Sequence, residues 1–335
     1  MTNGRASMTR RERIQAVLRG EEPDRPPISL WRHFPGEDDT AAKLAEATVA
    51  FQRRYDSDLV KLMPTGMYAV IDYGVRVVPS GDAIGTTRFA SGPIHGPGDW
   101  ERLPKVSPAE RTLGAQVDAV RLVRAAIGPD TPLVQTIFSP LTMAVKVAGV
   151  VETVVDAAER HEAALHTALS KMAEDVIAFG RRCLDAGADG FFFATQLAAR
   201  GAAPDGLYRR LGVPHDLHVL QALRGGAQCM ILHLHGLEPM FELADEYPVD
   251  AVNWHDRDTS PSLADARRLT TRALVAGIAR TGVIAHGSPE EAAAEVRDAV
   301  RQTDGRVIVA PGCVIPYQAP SENLLAARRA VGCAP

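Results

Sequence analysis

Cysteine is sparse in this sequence: four residues in 335, Cys183, Cys229, Cys313 and Cys333, with no CxxC pair. A disulfide framework needs a denser and more regular set. No run of about 18 apolar residues is present, so no membrane-spanning helix is expected. A basic excess is also missing, with 37 Lys and Arg against 41 Asp and Glu and a net charge of −4. Nucleic-acid backbones are held by surplus cations, so no nucleic-acid partner is expected. The opening stretch MTNGRASMTRRERIQAVLRG carries basic residues but lacks the apolar segment of a secretory signal. The sequence therefore reads as a cytoplasmic protein. What is present is ordinary globular composition, 46% apolar and 23% charged. A chain of this length buries a large core without disulfides or a structural metal.

Eight short apolar, β-branched runs recur along the chain, at 26–31, 58–64, 132–140, 189–196, 229–236, 250–256, 273–279 and 306–316. Helix-like stretches separate them. The segment 161–186 has apolar residues at about 3.6 spacing and Gly187 as a stop. Ser288-Pro289-Glu290-Glu291 has the form of a capping box with proline at the first helical position. Ser260-Pro261 predicts another helix start, and 320–331 a last helix ended by Gly332. Eight strands alternating with helices predict a parallel sheet closed into a (β/α)8 TIM-like barrel; an open doubly wound sheet is the rival. The span 65–131 interrupts the alternation. Its Gly- and Pro-rich part, SGDAIGTTRFASGPIHGPGDW, predicts a hairpin or lid inserted after the second strand. With no repeat or linker in view, 1–335 reads as a single barrel domain.

Barrel active sites lie where strands end at their C-termini. The polar residues at those ends are Arg32 and His33, Lys61, Gln135 and Ser139, Thr195 and Gln196, His233 and His235, Asn253, His255 and Asp256, Arg280, and Cys313. His233-Leu234-His235 is the sharpest signal. Side chains alternate faces along a strand, so residues two apart point the same way. Two imidazoles converging from one strand suit a tetrahedral Zn²⁺. Cys313, after Gly312 at the end of the last apolar run, is the natural third ligand. The bland readings are a hydrogen-bonded histidine pair and an inert core thiol. His255 shares a face with Asn253, as a fourth ligand, a partner of a ligand or a general acid. Gln196, Asn253 and His255 form the candidate catalytic set. Arg32 and His33, with Lys61 and Tyr73 near strand two, are candidates to hold an anionic substrate, since a guanidinium offers a planar fork to a carboxylate. Ordinary surface ion pairing is the competing reading for Arg32 and Lys61.

These residues sit in a chain that resembles the uroporphyrinogen decarboxylase superfamily. The likeness runs from RRERIQAVLRGEEPDRPPISLW through SPLTMAVKVAG to APGCVIPYQAPSENLLAARRAV, nearly end to end. It implies a distorted (β/α)8 barrel and a homodimer. The decarboxylase holds propionates with an Arg-rich loop after the first strand. Here LWRHFPGED keeps Arg32 and loses the second Arg and the glycine-rich turn. The family's zinc methyltransferases, which move methyl groups from methylated corrinoids to thiols, carry His-x-Cys after the fifth strand and Gly-Cys near the last. On that pattern His233 matches the His, His235 replaces the first Cys, and Cys313 matches the last. The resemblance thus implies a zinc enzyme that activates a small nucleophile, a thiol above all. Its methyl donor would be a methylated corrinoid (methylcobamide, on a corrinoid protein) or a small molecule. The alternative is a metal-free decarboxylase of a porphyrinogen or a smaller carboxylated substrate.

Overall fold

The Asp24-Arg25-Pro26-Pro27 stretch shows how the barrel is pinned at its base. Arg25 donates through both terminal nitrogens to the carboxylate of Asp58, at 2.7 and 2.8 Å, and Arg13 adds a third bond at 2.8 Å. Asp58 is fully buried, and its remaining acceptor capacity takes the backbone N–H of Ile28. A buried carboxylate is tolerable only when paired and hydrogen-bonded this completely. The computed structural model describes residues 7–332. Cys333, the first residues of the basic leader stretch and the outer ends of the 1–335 span lie outside them.

The described residues form nine strands: β1 Val60–Leu62, β2 Arg76–Pro79, β3 Thr87–Ser91, β4 Leu133–Phe138, β5 Gly190–Thr195, β6 Cys229–Leu234, β7 Ala251–Trp254, β8 Ala273–Ile278 and β9 Val307–Pro311. Seven pair in parallel in the order β1-β4-β5-β6-β7-β8-β9. The run expected as strand one, 26–31, forms no strand of its own. Two of its residues are prolines without an N–H, so it joins the ladder at a single bridge, Ile28 to Val309. That bridge is enough to close the ring. Ser29 N donates to Val309 O at 2.9 Å and Val309 N to Pro27 O at 2.8 Å. On the other side Asp58 N donates to Ile28 O at 2.7 Å. The segment thus stands between β9 and β1, and the chain is a (β/α)8-type barrel rather than an open sheet. The insertion after β1 holds the expected hairpin, β2 paired antiparallel with β3.

Helix ends mostly follow the local chemistry. Glu162–Asp185 is one long helix, and Gly187 turns the chain with φ +105°. Ser288 and Glu291 form the expected capping box. Ser260-Pro261 departs from expectation. The helix there is Leu263–Leu269, capped by Ser262, while the carbonyl of Pro261 accepts from Trp254 Nε1 at 2.9 Å. That bond keeps Pro261 in the preceding loop.

The two barrel ends differ in kind. Carboxylates just before β1, β5 and β7 pair with arginines: Asp58 as above, Asp189 with Arg11 and Arg124, and Asp250 with Arg224. At the opposite end the strands finish in His233, His255 and, after β9, Cys313. The ion pairs hold the base, and the titratable groups collect at the top, where barrel chemistry is done.

One buried acid stands outside this scheme. Asp216 accepts hydrogen bonds from Tyr208, in a π turn at Tyr208–Gly212, and from Tyr247 at 2.8 Å. Its Oδ1 is buried with no partner. Burial pushes its carboxyl up to about 7, against the lowering effect of the two phenols. Between the ordinary carboxylate range and pH 7 the unfolded chain is ionised while the folded one keeps its proton. Stability is therefore expected to fall as pH rises across that window. Asp216→Asn keeps an acceptor for both phenols and cannot ionise. Relative to the variant, the wild type should lose on the order of 3 kcal/mol between pH 4 and pH 8 in urea unfolding. Parallel pH curves for the two proteins would show that the carboxyl does not carry this shift.

Candidate metal centre and its cavity

His233 is the fifth residue of β6 and points into the barrel. Its Nδ1 lies 2.6 Å from Asn253 Oδ1 on β7. The amide of Asn253 is oriented by its own nitrogen, which donates to Val275 O at 2.6 Å and Pro311 O at 3.1 Å. Two carbonyls can only accept, so the amide oxygen must face the imidazole, and Nδ1 must carry the proton. Nε2 of His233 is thereby left with a free lone pair, the form a metal ligand needs.

Three more donors meet it. Nδ1 of His235 is 3.7 Å from Cys313 Sγ. The rings of His235 and His255 meet edge to face, with centroids 4.9 Å apart. Nε2 of His255 is buried with no hydrogen-bond partner, although its Nδ1 is 3.7 Å from Asp258. One ligand atom from each of His233, His235, His255 and Cys313 lies within 4.8 Å of every other. Tetrahedral zinc ligands stand roughly 3.3–3.8 Å apart, so a small contraction seats one ion. An orphaned imidazole nitrogen beside a thiol is a costly arrangement in itself, and a cation resolves it.

Glycine makes the fourth approach available. A Cβ at Gly312 would stand 2.8 Å from Trp254 O and 2.9 Å from His255 Cα, so only glycine lets the chain leaving β9 close on β7. That closure carries Cys313 to His255. Gly236, at φ +97°, turns the chain directly after His235.

Electrostatics keep the cluster in ligand form. Burial is the largest cause in each imidazole. It holds His255 at about 4 with help from Arg280, and His235 at about 3 with help from His255 and Arg280. His233 falls well below its ordinary value for the same reason, with both other histidines adding to the effect. All three are neutral at pH 7. Burial pushes the Cys313 thiol up, and a backbone N–H, Arg280 and Lys61 act against it.

The cluster opens on a cavity of about 240 Å³ that includes His233, His235 and Cys313 in its wall. Trp31, Phe138 and Phe192 give it apolar sides, and Ile84 and Thr86 from the β2–β3 turn border it. Three cations line it, Lys61, Lys146 and Arg280, and no Asp or Glu does among the described residues. Lys61 is buried on β1, its Nζ against Met63 Sδ and 4.2 Å from the centre of the Phe192 ring. Burial brings its ammonium down to about 7 and that of Lys146 to about 8.

The sequence-derived site residues divide into those the cavity gathers and those it does not. Lys61, His33 and Gln196 line it beside the cluster. Asn253 lies beneath, fully buried against His233, and does not reach the cavity. Arg32 is a correction. Its guanidinium donates to Tyr317 O and packs over Phe34 and Phe51, at 5.7 and 5.3 Å, outside the cavity wall. The phenyl faces and the carbonyl hold it there, although its Nε is buried without a hydrogen-bond partner. Tyr73 is a second correction, since its OH donates to Asp175 at 2.7 Å, away from the cavity. Tyr68, five residues earlier at the start of the short helix Tyr68–Ile71, lines the cavity instead. His33 is in place but cannot act as a cation, because burial and Lys61 hold it at about 3. The missed residue is Lys146. It stands late in the buried helix Pro140–Ala148, where a single lysine in PLTMAVKVA was the available signal.

The fold and the donor set define a barrel with a metal-competent His/Cys centre at its C-terminal face. A family model described as uroporphyrinogen decarboxylase (URO-D) matches residues 9–332, and the chain belongs to that family. No curated protein matches it in sequence. Among solved structures it is similar to a methyltransferase from Methanosarcina mazei, with a TM-score of 0.85 and 19% identity over 97% of this chain and 98% of that one. A B12-independent methionine synthase from a Shewanella species, in complex with selenomethionine, aligns with a TM-score of 0.57 and 13% identity over 93% and 95% of the two chains. A putative vitamin-B12-independent methionine synthase from Listeria monocytogenes aligns at 0.51 and 14%, over 87% and 85%. At these identities the likeness is one of fold. Among the described residues no helix is long and apolar enough to cross a membrane.

Proposed function

We propose that the protein is a zinc-dependent methyltransferase that accepts a methyl group on a small thiol. The observation that carries this reading is the convergence of His233, His235, His255 and Cys313 on one point in the wall of a small, acid-free cavity. The donor set, neutral imidazoles and one thiol, is of the kind zinc takes. Zinc held there would lower the pKa of a substrate thiol, so that thiolate is available near neutral pH. The new S–CH₃ bond forms as the bond from methyl to its donor breaks, the donor keeps that electron pair, and the thiol proton is released. A methylated corrinoid or a small methylated molecule is the donor class, in keeping with the methyltransferase of the same fold.

The chain's own residues supply placement. Asn253 fixes the tautomer and angle of His233. Gln196 is held by its backbone N–H on Thr142 Oγ1, at 2.9 Å, with its side chain left to the substrate. Trp31, Phe138 and Phe192 exclude water from the thiol. A volume of about 240 Å³ suits a small molecule.

Metal analysis by mass spectrometry of the purified protein tests the reading. About one zinc per chain, removable by chelator and restored on addition, is expected. Protein that takes up no zinc even when it is supplied would overturn it.

A further inference from the structure

The sequence has five lysines, and four of them reach solvent. Lys43 pairs with Asp39 at 2.9 Å, and Lys105 is exposed. Lys171 donates to the carbonyls of Glu101 and Leu103. Lys146 is half-buried, with its Nζ 4.7 Å from the centre of the Phe138 ring. Lys61 differs from all of these. It is only 6% exposed, and its Nζ meets neither a carboxylate nor any oxygen acceptor among the described residues.

The fold puts it there. Lys61 is the middle residue of β1, paired in register with Val134 of β4, and its side chain forms part of the cavity wall. The amine rests against the Met63 thioether, 4.2 Å from the centre of the Phe192 ring and 5.2 Å from that of Trp31. Ring faces stabilise a cation weakly and replace little of its lost hydration. Carboxylates buried at the base of the barrel are matched by arginines, but no Asp or Glu in the cavity wall matches Lys61. An apolar wall without an acceptor favours the uncharged amine, the form that carries a lone pair. Burial brings the ammonium down to about 7, with Cys313 acting the other way. Lys61 acts in turn on His33, His233 and Cys313.

We propose that Lys61 is a nucleophilic amine that captures a small aldehyde or ketone in the cavity as an imine. The Nζ lone pair attacks the carbonyl carbon, and the C–N bond forms as the C–O π pair moves to oxygen. Both hydrogens of the amine then leave with that oxygen as water, and a C=N bond remains. Lysines desolvated in apolar pockets are suited to this chemistry. The imine is uncharged, so the wall that disfavours an ammonium accommodates it. A cavity of about 240 Å³ limits the partner to a small carbonyl compound. The step needs no redox partner, and none of His233, His235, His255 or Cys313 takes part in it, so the site stands apart from the zinc reading.

Reductive trapping tests the inference. Metal-free protein at pH 7 is incubated with propanal and cyanoborohydride, which reduces an imine far faster than an aldehyde, and the alkylated lysines are located by peptide mass spectrometry. Lys61 should react at least about tenfold faster than Lys43, Lys105 and Lys171, because ordinary lysines hold almost no free amine at that pH. In Lys61→Met the fast site should disappear while the slow ones remain. Reaction at Lys61 no faster than at those three lysines would overturn the inference, and so would a fast site at Lys146 or one that survives in Lys61→Met. Fast capture at Lys61 in a protein that takes up no zinc would leave the imine site standing and sink the methyltransferase reading.

Discussion

Alanine at Cys313 is expected to lower zinc affinity by on the order of a hundredfold or more, the largest loss of any single substitution in the cluster. Cys313 is the one donor that is anionic when bound, so its removal takes away charge as well as a bond. His255→Ala should cost less. It removes a neutral ligand whose Nε2 is otherwise orphaned, and it leaves three donors, the number catalytic zinc sites commonly use. Asn253→Ala is the informative third case. Asn253 touches no cavity and offers no ligand, yet it alone sets the tautomer of His233. A loss of about 10–100-fold is expected, the range such orienting partners show. Competition with a chromophoric chelator gives all three values. Unchanged zinc affinity in Asn253→Ala would mean that the hydrogen bond serves packing only. Unchanged affinity in Cys313→Ala would place the ion elsewhere.

Lys61→Met is expected to stabilise the metal-free protein at neutral pH while weakening anion binding. Burial holds the Lys61 ammonium at about 7, well below the 10.5 of a free lysine. Between those values the unfolded chain carries the proton and the folded chain does not. Unfolding therefore takes up a proton, and stability rises with pH across the window. Below pH 7 the folded protein bears the full cost of the buried charge, and above about 10.5 that cost is gone. Methionine matches the unbranched stem, sits well against Phe192 and Met63, and has nothing to titrate. A gain on the order of 3 kcal/mol at pH 7, shrinking toward pH 10, is expected from denaturant midpoints. Lys146, held at about 8, contributes its own rise in both proteins and drops out of the comparison. A constant difference between variant and wild type would show that Lys61 does not titrate there. The sacrifice of stability for a cation in an apolar wall is what functional sites characteristically make.

Much of the barrel follows from the order of the residues. Eight apolar runs alternating with helical stretches predict the ring, and the Gly- and Pro-rich insertion predicts the hairpin. The period of two along a strand aligns His233 with His235 and Asn253 with His255 before any fold is known. Local spacing also carries Ser288's capping box and Gly187's stop. Those features depend on neighbours in sequence, and neighbours in sequence are what a pattern can read.

What lies beyond local pattern came from the tertiary structure. Arg32 sits at a strand end like any rim residue, and only the positions of Phe34, Phe51 and Tyr317 show that it turns away from the cavity. Tyr73 and Tyr68 are five residues apart, and packing alone decides which one lines the cavity. Lys146 reads as an ordinary helical lysine until the helix is docked and its ammonium is found over Phe138. The approach of Cys313 to His255 depends on Gly312 passing close to β7, a contact across 58 residues of sequence. Residue order determined which chemical groups stand at the strand ends. Ring closure and side-chain packing decided which of them share one point, which face the cavity, and which cations remain unpaired, because those outcomes depend on atoms brought together from distant parts of the chain.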